Sequence, residues 1–174
     1  IGVLYGRFDA LDSLSPLMTG GEMIKTVSFE LTEFSQLPNR LEAGTPPIAE
    51  VIGLGAAIDF IQALPKEQVH AAEQALLNYL QDELTALGDV VLYGAHSDNI
   101  GAVAFNLSDE HHQDVGILLD QQGIAVRTGH HCTEPLWNFY GVPGTVRASF
   151  AIYTTKEEIQ TFATALKKAI TLLS

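Results

Sequence analysis

Cysteine is nearly missing from this chain, which has one thiol, Cys132, in 174 residues. A single thiol cannot close an internal disulfide, which suits a reducing compartment such as the cytoplasm and leaves the group free to react. Basic residues are scarce as well: 9 Lys and Arg stand against 21 Asp and Glu, a formal charge of −12. No basic run is longer than Lys167-Lys168. Phosphate backbones and anionic lipid repel such a chain, so nucleic acid and membrane surfaces are poor partners for it, although a local arginine can still hold a small anion. No window reaches the roughly 18 uninterrupted apolar residues of a membrane-spanning helix, and no charged region precedes an apolar signal core at the start. Internal repeats and low-complexity stretches are also missing. The initiator Met is absent, and "IGVLYG" opens without a start signal, so the chain reads as a piece of a longer polypeptide.

What is present is the composition of a folded protein, 47 % hydrophobic and 17 % charged. That balance supports one good core or at most two small ones. Residues 1 to 7 read as a buried strand, 9 to 23 as loop, and "KTVSFEL" at 25 to 31 as a second strand. Pro46 and Pro47 suit a helix entry with Thr45 as cap, and the helix then runs from Ile48 to Ala63. Its apolar residues nearly surround the axis, so it is expected to be buried. Residues 65 to 88 make the clearest amphipathic helix, with Gly88 as its stop. Strands follow at about 89 to 94 and 101 to 107, then a helix from Ser108 or Asp109 to Gln122. A short strand "IAVRT", a helix at 134 to 140, a strand at 145 to 153 and a helix at 156 to 172 complete the chain. From residue 65 onward this is a compact α/β unit, a mostly antiparallel sheet faced by helices. Residues 1 to 64 make no comparable unit alone.

The chemistry concentrates in "AVRTGHHCTEP", residues 125 to 135. Thiolate is the nucleophilic form of cysteine, and nearby cations or donors favour it. Arg127, His130 and His131 are the right kinds of neighbour for Cys132. Free cysteines are often buried as small hydrophobes, but Gly, His, Thr, Glu and Pro around this one make a loop and favour an exposed thiol. Adjacent histidines also invite a metal site, yet neighbours in a strand point to opposite faces and a zinc needs three or four converging ligands. His111-His112 reads as a solvated helix start. Arg127 and Arg147 each lie at or within a short apolar strand, where an arginine is either an ion-pair partner or a fork held out for a carboxylate. "EAGTPP" at 42 to 47 is a helix-entry turn that either caps its helix or holds a phosphate.

Taken together, "IGVLYGR" at 1 to 7, "GGEMI" at 20 to 24, "RLEAGTP" at 40 to 46, "RTGHHC" at 127 to 132 and "RASFAIYTT" at 147 to 155 resemble the cysteine desulfurases that depend on pyridoxal phosphate, the group that includes SufS and CsdA. The motifs stand in the family's order and cover nearly the whole chain. The resemblance implies a fold-type-I, aspartate-aminotransferase-like α/β enzyme, of which this chain holds the end of the large domain with a linking helix (1 to 64) and the complete small C-terminal domain (65 to 174). It implies conversion of L-cysteine to alanine with an enzyme persulfide, supplying sulfur for Fe–S cluster or other cofactor assembly, and leaves L-selenocysteine open as a second substrate. By resemblance Cys132 is the nucleophile, Arg147 clamps the substrate carboxylate, Arg127 and His131 line the site, and Thr45 reaches the phosphate of the cofactor in the other subunit of a homodimer. The lysine that binds pyridoxal phosphate covalently would lie upstream of Ile1, and none of Lys25, Lys66, Lys156, Lys167 or Lys168 falls in a matching motif. The chain alone is therefore expected to be inactive. A SufE/CsdE-like protein is the implied sulfur acceptor. "CTEP" departs from the family's "CAQP", and Glu134 adds a negative charge two residues from the thiol. Two other readings stand beside this one: a non-catalytic module that binds a sulfur acceptor, and a Cys-His hydrolase or transferase built on Cys132 and His131, for which no orienting acid is evident.

Overall fold

The computed structural model describes residues 1–95, 99 and 101–173, and the chain divides into two compact units, Ile1–Leu64 and Pro65–Ser174.

The first unit is made of short pieces: α1 (Phe8–Asp12), an antiparallel hairpin of β1 (Ile24–Val27) and β2 (Thr32–Phe34), and the 16-residue α2 (Ile48–Ala63). Residues 1–7 form no strand, contrary to the expectation from their apolar run. An extended run becomes a strand only where neighbours bond its backbone, and no described residue pairs with this one. The strand expected over 25 to 31 is one arm of a hairpin instead. Ser28 turns the chain, its Oγ accepting from the N–H groups of Glu30 and Leu31 while its own N–H donates to the Leu31 carbonyl. Helix α2 has the bounds that the Pro-Pro entry predicts, but Thr45 does not cap it; Pro47 is the N-cap residue and no side chain bonds a first-turn N–H. Nor is α2 buried: Ile52, Phe60 and Ile61 stand exposed and no residue of the helix is fully buried. A helix apolar on all sides needs neighbours on all sides, whereas the first unit's described residues include one buried side chain, Met23.

The second unit comprises α3 (Lys66–Ala86), β3 (Val90–Tyr93), β4 (Ala102–Leu107), α4 (His112–Asp120), β5 (Arg127–Gly129), α5 (Glu134–Tyr140), β6 (Thr145–Ser149) and α6 (Lys156–Leu173). Its four strands lie in the order β3-β4-β6-β5, and every neighbouring pair is antiparallel. Three boundaries differ from the expectation. Helix α4 begins at His112, with the His111 ring as its cap, Nδ1 accepting from the Gln113 N–H at 3.3 Å. His112 itself is buried at 5 % exposure and is not the solvated residue its neighbour suggests. Strand β5 keeps only Arg127–Gly129, and β6 stops at Ser149, where a turn closed by Thr154 Oγ1 accepting from the Ala151 N–H leads into α6.

Strand periodicity divides the sheet into two faces. Val103, Phe105 and Leu107 of β4 and Val146 of β6 are buried in one core with Leu80 of α3, Leu119 of α4 and Leu166 of α6. On α6 the buried positions Ile159, Phe162, Ala163, Leu166 and Ala169 recur at three and four residues, one face of a helix. Each fully buried Leu or Phe contributes about 1.5–3 kcal/mol relative to exposure. The alternate strand residues, Tyr93, Ala104, Asn106, Thr145, Arg147 and Arg127, take the opposite face.

Candidate functional site

On that face the register aligns one row across all four strands: Tyr93 faces Ala104, Ala104 faces Arg147, and Arg147 faces Arg127. Two guanidinium residues are thus direct cross-strand neighbours. Like charges so placed repel, and no ion pair with a carboxylate relieves them among the described residues. The ion pairs among the described residues, Lys25–Glu33 and Arg40–Asp12, both belong to the first unit. Nε of Arg147 is buried with no hydrogen-bond partner among the described residues. A buried donor without a partner is costly, and a guanidinium is shaped to meet an anion with two parallel bonds. Arg147 opens on a cavity of about 360 Å³ that Tyr93, Ala102, Ala104, Trp137 and Tyr140 also line. Its aromatic wall is tightly built, with Tyr93 edge-on to Trp137 at 5.7 Å and to Tyr140 at 5.3 Å between ring centroids.

Beyond β5 the chain makes a turn of His130, His131, Cys132 and Thr133, closed by the Thr133 N–H donating to the His130 carbonyl at 2.9 Å. His131 and Cys132 both have positive φ, 52° and 62°. Consecutive positive φ values at the two central positions are the signature of a type I′ turn, which ordinarily takes Asn and Gly. The geometry directs Cys132 outward. The thiol is free and exposed, and Nη2 of Arg127 donates to its Sγ at 3.6 Å.

His131 has a different occupation. Its Nε2 lies 3.1 Å from the Thr145 carbonyl and 3.0 Å from Thr145 Oγ1. A carbonyl only accepts, so Nε2 carries the proton and Nδ1 is left as an acceptor. Nδ1 is buried and unpartnered. Burial, and after it the charge of Arg147, hold the imidazole below its ordinary range, against a smaller opposing effect of the bond to Thr145. The ring is therefore neutral at pH 7. No hydrogen bond joins Cys132 to a histidine among the described residues, so the arrangement gives no support to a Cys-His dyad.

Cys132, Arg127, Arg147 and His131 thus gather at one end of the second unit's sheet. Thr45 belongs to the first unit, where it is exposed and makes no hydrogen bond among the described residues. Sequence reasoning missed Tyr93, Thr145 and Trp137. Tyr93 and Thr145 enter through strand register, which periodicity alone does not specify. Trp137 had a signal, being the chain's one tryptophan, just after the cysteine motif.

The family model of class-V aminotransferases matches residues 1–162. The chain belongs to the aminotransferase class-V family, and its fold is that of the later part of a fold-type-I enzyme dependent on pyridoxal phosphate. Its relatives are narrower than the family. It is 45 % identical to a cysteine desulfurase of Pectobacterium carotovorum over 174 residues, which are 99 % of this chain and 42 % of that protein. It is 43 % identical to a cysteine desulfurase of Haloferax volcanii, over 97 % of this chain and 40 % of that one. Among solved structures, the cysteine desulfurase CsdA of Escherichia coli superposes with a TM-score of 0.87 at 35 % identity, over 97 % of this chain and 42 % of that one. The chain therefore spans about two fifths of the length of these relatives.

Taken unit by unit, the residues fit anionic groups. In the first unit the Thr45 hydroxyl at the entry to α2 makes no hydrogen bond among the described residues, which suits a phosphate. In the second, Arg127 and Arg147 form no ion pair among the described residues, and Arg147 Nε, a donor, and His131 Nδ1, an acceptor, are buried without partners among them.

Proposed function

We propose that this chain is the later part of a cysteine desulfurase, supplying the sulfur-accepting nucleophile and the substrate's carboxylate site. In this reading residues 1–64 end the large cofactor domain and carry its linking helix, and residues 65–174 are the small domain. The observation that supports it most is the strand row that sets Arg127 on the sulfur of Cys132 and Arg147 beside it, with no carboxylate among the described residues for either. The fork of Arg147 binds the carboxylate of L-cysteine and orients the amino acid. Neutral His131 adds no third cation to the pair and keeps Nδ1 free to accept from a substrate donor. Arg127 holds the sulfur of Cys132, which attacks the substrate sulfur. A sulfur–sulfur bond forms and the substrate carbon–sulfur bond breaks. The released electron pair takes a proton at carbon, so that thiol and cysteine become persulfide and alanine with nothing left over. Pyridoxal phosphate, when bound, supplies the electron sink for that pair; Thr45 would hold its phosphate, contributed across a homodimer.

The persulfide is presented on an exposed turn, which suits transfer to a SufE/CsdE-like acceptor and supply of sulfur for Fe–S clusters in the cytoplasm. The lysine that the cofactor requires belongs, in this reading, to the upstream part of the polypeptide. The test uses the full-length protein with pyridoxal phosphate and L-cysteine. Alanine release is expected from the parent and none above background from Cys132→Ser, with melting unchanged and cofactor still bound. Undiminished turnover by Cys132→Ser would refute the assignment.

A further inference from the structure

We infer that Trp137 is a positioning residue for Cys132: its indole holds the His130–Thr133 turn in the conformation that presents Sγ to Arg127. The effect on turnover rests on the desulfurase reading; the effect on the thiol does not.

Two consecutive non-glycine residues with positive φ persist only where their surroundings over-determine them. The carbonyl of His130 is where that constraint converges. It accepts from the Thr133 N–H at 2.9 Å, from Thr133 Oγ1 at 2.9 Å and from Trp137 Nε1 at 2.7 Å. The first two donors lie within the turn and move with it. Trp137 alone of the three ties the turn to the rest of the fold. Its ring is 4 % exposed, stands edge-on to Tyr93 of β3, and meets the His131 ring at 5.9 Å and 80°. One side chain thus grips His130 by its carbonyl and His131 by its ring, and the far side of His131 is bonded to Thr145. Helix α5 is a firm base for it, with Pro at its first turn and Gly141 in the left-handed conformation at its end. Cys132 is exposed, and Arg127 is the hydrogen-bond partner of its sulfur among the described residues. The backbone of the turn therefore decides where Sγ stands.

An indole that only filled space would place its N–H without regard to the thiol, and the test separates the two roles. Trp137→Phe in the full-length protein removes the N–H and keeps a ring. Replacing the indole by benzothiophene at the same position removes the N–H alone and serves where the Phe variant melts early. The rate constant for alkylation of Cys132 by iodoacetamide at pH 7 is expected to fall about 5-fold, the size of one net hydrogen bond. With cysteine as substrate, kcat of the benzothiophene variant should fall by a similar factor and KM should hold, because its ring still lines the cavity on which Arg147 opens. An unchanged alkylation rate would overturn the inference, and a loss of turnover without slower alkylation would overturn it while leaving the desulfurase reading intact. If alkylation slows as expected but the parent releases no alanine from cysteine, the positioning role stands and the desulfurase reading falls.

Discussion

Replacing Arg147 by lysine keeps the positive charge and removes the planar fork, which makes Arg147→Lys the most informative change at this site. Arg147 faces Arg127 across the β5–β6 pair, has a buried and unpartnered Nε, and forms no ion pair among the described residues. Among the described residues no hydrogen bond or ion pair is thus lost when the guanidinium goes, whereas a bound carboxylate loses one of two parallel bonds. A hydrogen bond to a charged group is worth about 1.5–3 kcal/mol, which corresponds to a rise in KM of about 10-fold to 100-fold. Stability should move by well under that amount, and Arg147→Met, which removes the like-charge repulsion altogether, should melt no lower than the parent. The assay is a pair on each full-length variant: alanine release across a cysteine titration, and a thermal melt. An unchanged KM together with a melting point several degrees lower in Arg147→Lys would refute the carboxylate role and make Arg147 a structural residue.

Gly144→Ala should destabilise the second unit by about 2–4 kcal/mol, combining a φ that L residues avoid with overpacking. Gly144 has φ +148°, and an added Cβ would come within 2.8 Å of His112 Cε1 and 3.0 Å of the Gly129 backbone; a denaturant midpoint equal to the parent's would contradict this. Stability should also fall as pH drops below about 6.5, the ordinary value for histidine. Burial, and then the charge of Arg147, hold His131 below that value, and burial, then His111, His130 and His131, do the same for His112. The unfolded chain therefore binds protons before the folded one does, and the loss extends from about 6.5 down to the folded-state values. Melts at pH 7.5, 6.5 and 5.5 should show the decline, and His112→Gln should show a shallower one.

The second unit was largely legible in order and type. The leucines of α3 and the apolar face of α6 repeat at helical spacing, Gly88 ends α3, and these are local signals that survive in any tertiary setting. The exposed setting of Cys132 was legible for the same reason, since Gly129 and Pro135 bracket a polar loop whatever surrounds it. Strand 1–7 and the burial of α2 were misread because both depend on partners: an apolar segment states that it wants cover, and only tertiary contacts say whether cover is supplied. His112 was misread in the opposite direction, its neighbour His111 capping the helix in solvent while its own ring is packed against Gly144. The site shows the limit most clearly. That Arg127, Cys132 and Arg147 carry chemistry could be argued from residue types and resemblance, but that the two arginines stand directly opposite each other follows from the β5–β6 register. So does the absence of any carboxylate beside them among the described residues. A shift of one residue in that register would send one guanidinium to the core face. Strand pairing therefore decided where the two charges stand, because side-chain direction in a sheet is a property of the pair of strands and not of either sequence alone.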